Sequence, residues 1–464
     1  MTDVVIAGGG FAGLAAALFV ARRGHSVTVL ERDGSPIDAD PDNDVEHWHR
    51  PGAPQSHQPH LMLARARRVL AEEAPDVIEA FLSRGVRQAR AESGAGSLPG
   101  EHFLMSRRLV AEATIRRIVE REPGVTVLAG EAVTGLEATR NGDVPIVTGA
   151  RLASGAVLSA ALVVDAGGRR SALPDWLAAI GARAPIDQTQ ECGFFYSTRY
   201  FRLRSGCATP QTVVPAAISL DYATLLAFGA DNDTFSLSAT LSTHDPHRSR
   251  LRDNDFWTRF VQAVPGTARW LAVGDPISDV TTMSRIENRR RSLVDDDGPI
   301  VGGVVSLGDA ALHTNPTLGR GISLAFWHAQ HLAHVAGTAA DDPVRFVQDF
   351  HDWTHEHLGV WFDTQVATDT AALARLEAGL RGQRLPVADD PMGRMIAATV
   401  QCAQQDKVVG DAFTAMVHVL TPPIQALGDP AVAANVQQFL TTNPNFDRPP
   451  DVPSRSEFVQ MATV

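Results

Sequence analysis

The stretch from Val4 to Glu31 limits the fold more than any other. Val4-Val5-Ile6-Ala7 is a short apolar run of the kind that forms a buried parallel strand. Gly8-Gly9-Gly10-Phe11-Ala12-Gly13 follows at once, and Leu14 to Arg23, rich in alanine and leucine, predicts a helix. His25 to Leu30 predicts a second strand, with Glu31 at its end. The order strand, Gly-x-Gly-x-x-Gly, helix, strand, acid reads as a βαβ unit and so implies a parallel sheet.

Each residue type has a physical task. Gly8 allows a tight turn, Gly10 lets a pyrophosphate approach the backbone, and Gly13 lets the helix pack close to the strand. The helix start offers free N–H groups and a positive dipole end to phosphates. Glu31 lies 18 residues beyond Gly13, near the spacing of about 20 at which a carboxylate accepts hydrogen bonds from ribose hydroxyls. Its neighbour Arg32 is counted with it as a cofactor contact. A Gly-rich turn in an ordinary βαβ unit is the plain alternative. Three glycines and a terminal acid in register favour a dinucleotide site instead.

The 464 residues are enough for two or more domains. A net charge of −12 offers no basic stripe for nucleic acid. Cys192, Cys207 and Cys402 share no metal spacing and predict reduced thiols in a cytoplasmic protein. The first strand begins by Val4, so no signal peptide is expected. No apolar run reaches the roughly 18 residues of a spanning helix.

Gly34 to His60 predicts a long polar connection carrying His47, His49, His57 and His60. No cysteine or second acidic cluster completes a ligand set there, so no metal is expected. Leu61 to Leu82 predicts a helix, and Ser93 to Gly100 a flexible Gly/Ser loop. Phe103 to Glu120 predicts a strand then a helix, with Arg107-Arg108 at the junction. Val125 to Leu128, Ala132 to Ala138 and Leu162 to Ala166 predict strands. From Gly193 to Val294 the texture changes. Phe194 to Tyr196, Thr212 to Val214, Ala223 to Phe228 and Phe235 to Leu241 are strand-like runs between turn residues, with a helix near Phe256 to Val264. This predicts an inserted antiparallel sheet, with Arg289-Arg290-Arg291 as a solvated turn. Ile300 to Leu307 predicts the last strand of the first domain, and Gly308-Asp309 follows. Pro316 to Gly321 leads into a helix from Ile322, and Pro343 to Val464 is mostly helical with breaks near Pro422 and Pro449.

Three stretches together resemble a known family. Gly8 to Glu31, Asp165 to Ser171 and Gly308-Asp309 through Gly321 are similar to the FAD-dependent monooxygenases of the para-hydroxybenzoate hydroxylase fold, in particular the branch of natural-product epoxidases and hydroxylases. The resemblance spans roughly Val4 to His334. It implies an α/β fold: a Rossmann-like FAD-binding domain from 1–190 and 295–340, an antiparallel-sheet substrate domain from 191–294, and a helical C-terminal region from 341–464. It implies non-covalent FAD, with contacts from Gly8, Gly10, Gly13, Glu31, Arg32, Arg107 or Arg108, Val133, Asp309, Pro316, Gly319, Gly321 and Ile322. Arg50, Gln55 and His57 match the segment that passes beside the flavin ring.

The chemistry of Asp309 stands without the family. A strand ends at Gly308, which puts the acid at the carboxyl edge of the sheet, where ribityl hydroxyls could bond to it. The helix after Gly321 could turn its N-terminal dipole toward an electron-rich ring. Plain N-capping by Asp309 would not also need Gly319 and Gly321.

The chain departs from the family in places. Leu312 stands where many members have His, and Arg320 and Ser323 replace commoner Gln and Asn. Gly167-Gly168 falls where many members have Asp-Gly, with Asp165 two residues earlier.

The resemblance implies insertion of one oxygen atom of O2 into a hydrophobic or aromatic molecule, through a flavin C4a-hydroperoxide, with the cofactor carrying the hard chemistry. No catalytic side chain is assigned. NAD(P)H is the expected donor, directly or through a flavin reductase. A dehydrogenase or reductase of the same superfamily is the main alternative. A flavin halogenase is less favoured. Those enzymes use an early lysine and a Trp-x-Trp-x-Ile-Pro motif, whereas Lys407 is the sole lysine here and that motif is missing.

Overall fold

In the computed structural model the described residues are 3–463, apart from 36, 38–39, 41, 43–44, 46, 49, 54, 211–215, 384–390 and 445–451. A five-stranded parallel sheet forms the centre, in the order Val304–Ser306, Leu162–Asp165, Asp3–Ala7, Ser26–Glu31, Val125–Ala129. Its middle strands are apolar on both faces because both are covered. The Phe11–Ala21 helix packs on one face with Leu14, Leu18 and Phe19 fully buried, and the Gly321–Val335 helix lies beside it. Register matters most at one edge. Ala7 pairs with Leu30 and Asp165, and Asp165 pairs with Ser306, so the strands end together. The loops that follow all open on the same side, the ligand side of such sheets.

A second sheet runs Ala216–Ser219, Thr224–Gly229, Thr234–Ser242, Phe194–Leu203, Gly274–Pro276, with Thr281–Met283 beside Phe194–Leu203. Alternation gives it two faces. Phe195, Phe201, Leu237 and Leu241 pack on the helices Asn254–Gln262 and Pro265–Leu271, and Phe458 of the Arg455–Thr463 helix fills the same core. The other face carries Tyr196, Thr198, Ser236, Ser238 and Thr240, all buried. A three-stranded sheet of Ile186–Glu191, Glu287–Ser292 and Leu312–His313 joins the parts. The Pro343–Leu380 helix, 38 residues long and capped by Asp342, packs across them. It meets the Gly321–Val335 helix through stacked rings, with His331 on Trp353 at 3.9 Å and His328 on Phe350 at 4.8 Å.

Several elements differ from the sequence reading. Arg289-Arg290-Arg291 is no solvated turn. It lies in the Glu287–Ser292 strand, where Arg291 pairs with Asp187 at 2.7 Å and Arg289 is buried. Ser93 to Gly100 is no loose loop but part of a hairpin, Arg87–Ser93 with Gly96–Arg107. Gly94 and Gly96 serve close packing, since a Cβ would lie 2.4 Å from the Ala403 carbonyl oxygen at the first and 2.0 Å from the Gly410 carbonyl oxygen at the second. Leu61 to Leu82 is not one helix. Leu61 and Met62 belong to the Pro59–Met62 strand, and helices Ala64–Glu73 and Pro75–Ser83 break at Pro75. The strand expected over Ile300 to Leu307 shortens to Val304–Ser306. Thr212 to Val214 and Pro449 lie outside the described residues. The three cysteines are free.

Candidate FAD site

Of the residues singled out in the sequence, Gly8, Gly10, Glu31, Arg32, Arg108, Val133, Asp309, Pro316, Gly319, Gly321 and Ile322 line one cleft of about 320 Å³ at the carboxyl edge of the parallel sheet. The sheet order sets its direction. Glu31, Arg32 and Val133 lie toward the Val125–Ala129 edge, and Asp309, Pro316 and Gly319 toward the Val304–Ser306 edge.

The three glycines of the turn have different reasons to lack a side chain. Gly8 has φ 120°, and a Cβ there would lie 2.4 Å from the Ala166 carbonyl oxygen. A Cβ at Gly13 would lie 1.9 Å from the Gly8 carbonyl oxygen, so this glycine, outside the cleft lining, sets the distance from helix to strand. Gly10 is different: a Cβ there would meet only Arg108 Nη2, at 3.9 Å. No protein atom requires Gly10, and its bareness keeps the cleft open. Gly321 repeats the pattern, with nothing within 4 Å of its Cβ position. Both mark the start of a helix without a side-chain cap. Two helix N-termini therefore present N–H groups toward one cleft.

The arginine pair divides. Arg107 leaves the cleft to clamp the buried Asp231, at 3.0 and 2.6 Å, and reaches Asp42 at 2.7 Å. Arg108 lies over the Phe11 ring at 5.1 Å and bonds Glu112 at 2.9 Å, while its Nη2 faces the space above Gly10. Arg108 Nη1 approaches His60 Nε2 at 3.4 Å, and His60 Nδ1 lies 2.7 Å from the Gln58 carbonyl oxygen. A carbonyl can only accept, so Nδ1 carries the proton. Burial and the Arg108 charge push the His60 pKa down to about 3.

Glu31 is largely engaged. Its Oε2 accepts from the Gly9 N–H at 3.0 Å and pairs with Arg50 at 3.1 Å, and its Oε1 accepts from the Asp33 N–H at 2.8 Å. With two lone pairs on each oxygen, one acceptor position remains on Oε1. Arg50 joins Glu31 to Glu112, at 2.8 Å, and rests over Trp48 at 4.9 Å. Burial lowers the Arg50 pKa, but Glu112, Glu31 and Asp33 outweigh it and hold the pKa above the ordinary value. Arg50 and Gln55 line the cleft, whereas His57 is exposed and lies outside the lining. Asp33 and Glu112 were missed in the sequence; no local motif marks a carboxylate whose partner is Arg50. Among the described residues no cluster of His, Cys, Asp or Glu is arranged to hold a metal ion.

Asp165 is buried below the cleft. It accepts from Ser171 Oγ at 2.6 Å and the Gly167 N–H at 3.0 Å, and burial pushes its pKa up. It closes the turn that brings Arg169 and Arg170 to the lining.

The loop from Asn315 to Gly321 is held from behind. Gly319 adopts φ 65°, which a glycine takes without strain. Asn315 donates to Asp369 at 2.8 Å and accepts from the Tyr196 hydroxyl at 2.6 Å. Asn288 also donates to Asp369, at 2.8 Å, as does Gln365, at 3.0 Å. Burial pushes the Asp369 pKa up, against these bonds.

Residues 3–40 match the family model described as FAD dependent oxidoreductase. Protein Rv3254 of Mycobacterium tuberculosis (strain ATCC 25618 / H37Rv) is 28% identical over 359 residues, which cover 71% of this chain and 71% of that protein. The flavin-dependent brominase Bmp2 superposes with a TM-score of 0.62 at 16% identity, covering 96% of this chain and 99% of that one. PqsL, a probable FAD-dependent monooxygenase from Pseudomonas aeruginosa, gives 0.54 at 18% identity, over 82% of this chain and 100% of that one. At these identities the structural likeness is one of fold. The chain has the architecture of the FAD-dependent oxidoreductases. No helix among the described residues is long and apolar enough to cross a membrane.

Proposed function

We propose that the protein is an FAD-dependent monooxygenase that holds FAD non-covalently in this cleft and transfers one atom of O2 to an organic molecule by hydroxylation or epoxidation. One observation carries the cofactor assignment: Gly10 and Gly321 leave open space at two uncapped helix starts on one cleft, and Arg108 Nη2 faces the first. The residues fit the group. Gly10 and Arg108 would hold the diphosphate, and the remaining acceptor position of Glu31 would take a ribose hydroxyl. Val133 would border the adenine, and Asp309 would accept from the ribityl hydroxyls. The N-terminus of the Gly321–Val335 helix, which opens on the cleft, would favour negative charge on a ring held there.

Bound and reduced, FAD supplies the oxygen activation. The chain positions the substrate and excludes water. Gln55, Gln58, Met283 and Ile286 wall the ring end of the cleft, and the substrate lies between that end and the Phe194–Leu203 sheet. NAD(P)H reduces the flavin directly but slowly, faster with substrate; a separate flavin reductase is the alternative.

We exclude halogenation because the early lysine and the Trp-x-Trp-x-Ile-Pro motif are missing; the sole lysine, Lys407, is exposed, pairs with Asp411 at 2.8 Å and is absent from the cleft lining, which supports that reading. The test is the absorbance spectrum of purified protein, release of FAD on denaturation, then oxygen uptake with NADH or NADPH across a substrate screen. Colourless protein that FAD cannot reconstitute sinks the cofactor assignment. Turnover with oxidised product but no oxygen atom in it supports a dehydrogenase. A chlorinated or brominated product formed with halide overturns the exclusion of halogenation.

A further inference from the structure

His313 lines the cleft and is 8% exposed. It ends the two-residue strand Leu312–His313, whose partner is the Glu287–Ser292 strand. Alternation sends the two side chains to opposite faces. Leu312 packs in a core cluster with Trp361 and Phe362, outside the lining, and His313 takes the cleft face. Many members of the family resembled above carry histidine at position 312, so this chain presents an imidazole on the other face.

The ring is fixed and its tautomer is set. His313 Nδ1 lies 2.7 Å from the Glu287 carbonyl oxygen. A carbonyl can only accept, so Nδ1 carries the proton, and Nε2 of the neutral ring keeps a lone pair. Nε2 has no hydrogen-bond partner among the described residues, and it lies on the ring edge away from Glu287. Arg289, opposite His313 in the strand pair, is buried outside the lining.

The lining around this lone pair is uncharged. Thr314 is next in the chain, and Gln58, Met283 and Ile286 wall the same end of the cleft. Gln58 is locked at both ends of its amide. Thr198 Oγ1 donates to Oε1 at 2.9 Å, and Nε2 donates to Thr281 Oγ1 at 3.2 Å. One N–H of Gln58 is left over. A bare ring nitrogen among neutral groups repels a carboxylate and bonds only a group that brings its own proton. Met283 and Ile286 suit an apolar body beside that group.

We propose that His313 Nε2 reads the substrate, accepting a hydrogen bond from a hydroxyl or ring N–H of a neutral molecule with an apolar body. This rests on the reading that FAD fills the cleft and leaves its ring end to the substrate, and it narrows the substrate class beyond that reading. His313 then sets specificity, because a molecule without a donor leaves Nε2 desolvated and unpaired.

The test compares wild type with His313→Asn and His313→Gln, each scored first for bound FAD. Asparagine can keep the bond to the Glu287 carbonyl but reaches no further, whereas glutamine can place an amide oxygen near the Nε2 position. 2-Naphthol is titrated beside 2-methoxynaphthalene, and indole beside 1-methylindole, with flavin absorbance and thermal midpoint as readouts. In at least one pair, wild type should bind the donor-bearing member roughly fivefold or more tightly, the scale of one hydrogen bond. His313→Asn should keep its FAD and its midpoint and lose that preference, and His313→Gln should keep part of it. Equal binding within both pairs, no response to any of the four probes, or an undiminished preference in His313→Asn overturns the proposal. If neither variant folds, His313 is a structural residue and the proposal fails with it. Colourless wild type would refute the flavin assignment separately, while the thermal response to the four probes could still be read.

Discussion

Gly10→Val places a branched side chain where the Cβ position meets only Arg108 Nη2, at 3.9 Å. The backbone at Gly10, φ −84° and ψ −173°, is extended and open to valine. Folding stability should therefore stay within about 0.5 kcal/mol of wild type, as for a substitution that touches no packed atom. The cost falls on the cofactor. Pushing the diphosphate off Arg108 and the helix N-terminus removes at least two charge-assisted hydrogen bonds of about 1.5–3 kcal/mol each. Losing 3–6 kcal/mol weakens binding by about 10²- to 10⁴-fold. Gly13→Ala is the control. Its methyl would sit 1.9 Å from the Gly8 carbonyl oxygen, so backbone must move, at about 1–3 kcal/mol or more of stability. The assay is flavin fluorescence titration of the apoprotein beside urea unfolding. Gly10→Val should fold normally and stay colourless; Gly13→Ala should unfold early. Wild-type flavin content in Gly10→Val, or equal destabilisation in the two variants, would refute the reasoning.

Asp309→Ala should weaken FAD binding by about 1.5–3 kcal/mol, the worth of a hydrogen bond to a charged group, checked by the same titration. Arg107→Ala leaves Asp231 buried and unpaired and should cost about 3–5 kcal/mol of stability, whereas Arg108→Met should lose FAD with little change in the urea midpoint; reversed outcomes would exchange their roles. His328 and His418 are buried, and burial pushes their pKa values down to about 3 and about 4. The unfolded chain, with His near 6.5, binds those protons first, so stability is full above pH 6.5 and falls below it by about 1.4 kcal/mol per pH unit for each histidine. His328→Phe should flatten that acid slope in urea melts at pH 5 and 6, and an unchanged slope would remove His328 from the account.

The parallel sheet was legible because its signals are local: an apolar strand, spaced glycines, a helix and an acid follow within thirty residues. The Asp309 to Gly321 stretch was legible for the same reason. Arg291 was misread because a charged strand becomes buried only when Asp187 arrives from a strand 104 residues away. The Gly94-Gly96 hairpin was misread because flexibility and close packing write the same residue, and only Gly410 distinguishes them. Arg107 and Arg108 could not be separated in sequence, since Asp231 takes one of them and lies far along the chain. The substrate side was least legible. Phe195 and Leu237 face the helices, and alternation turns Tyr196, Thr198 and Ser238 to the opposite face, which strand-like texture alone does not assign.

Asp369 binds Asn288 and Asn315 from the Pro343–Leu380 helix, which lies beyond the Val4 to His334 stretch that carries the sequence motifs. The C-terminal region from Pro343 is thus not an interchangeable module. Exchanging it with the matching segment of a relative would sever both bonds to Asp369 unless residues 288 and 315 travelled with it. Their hosts are the strand and the loop behind the cleft, so recombination points for building hybrid enzymes lie elsewhere.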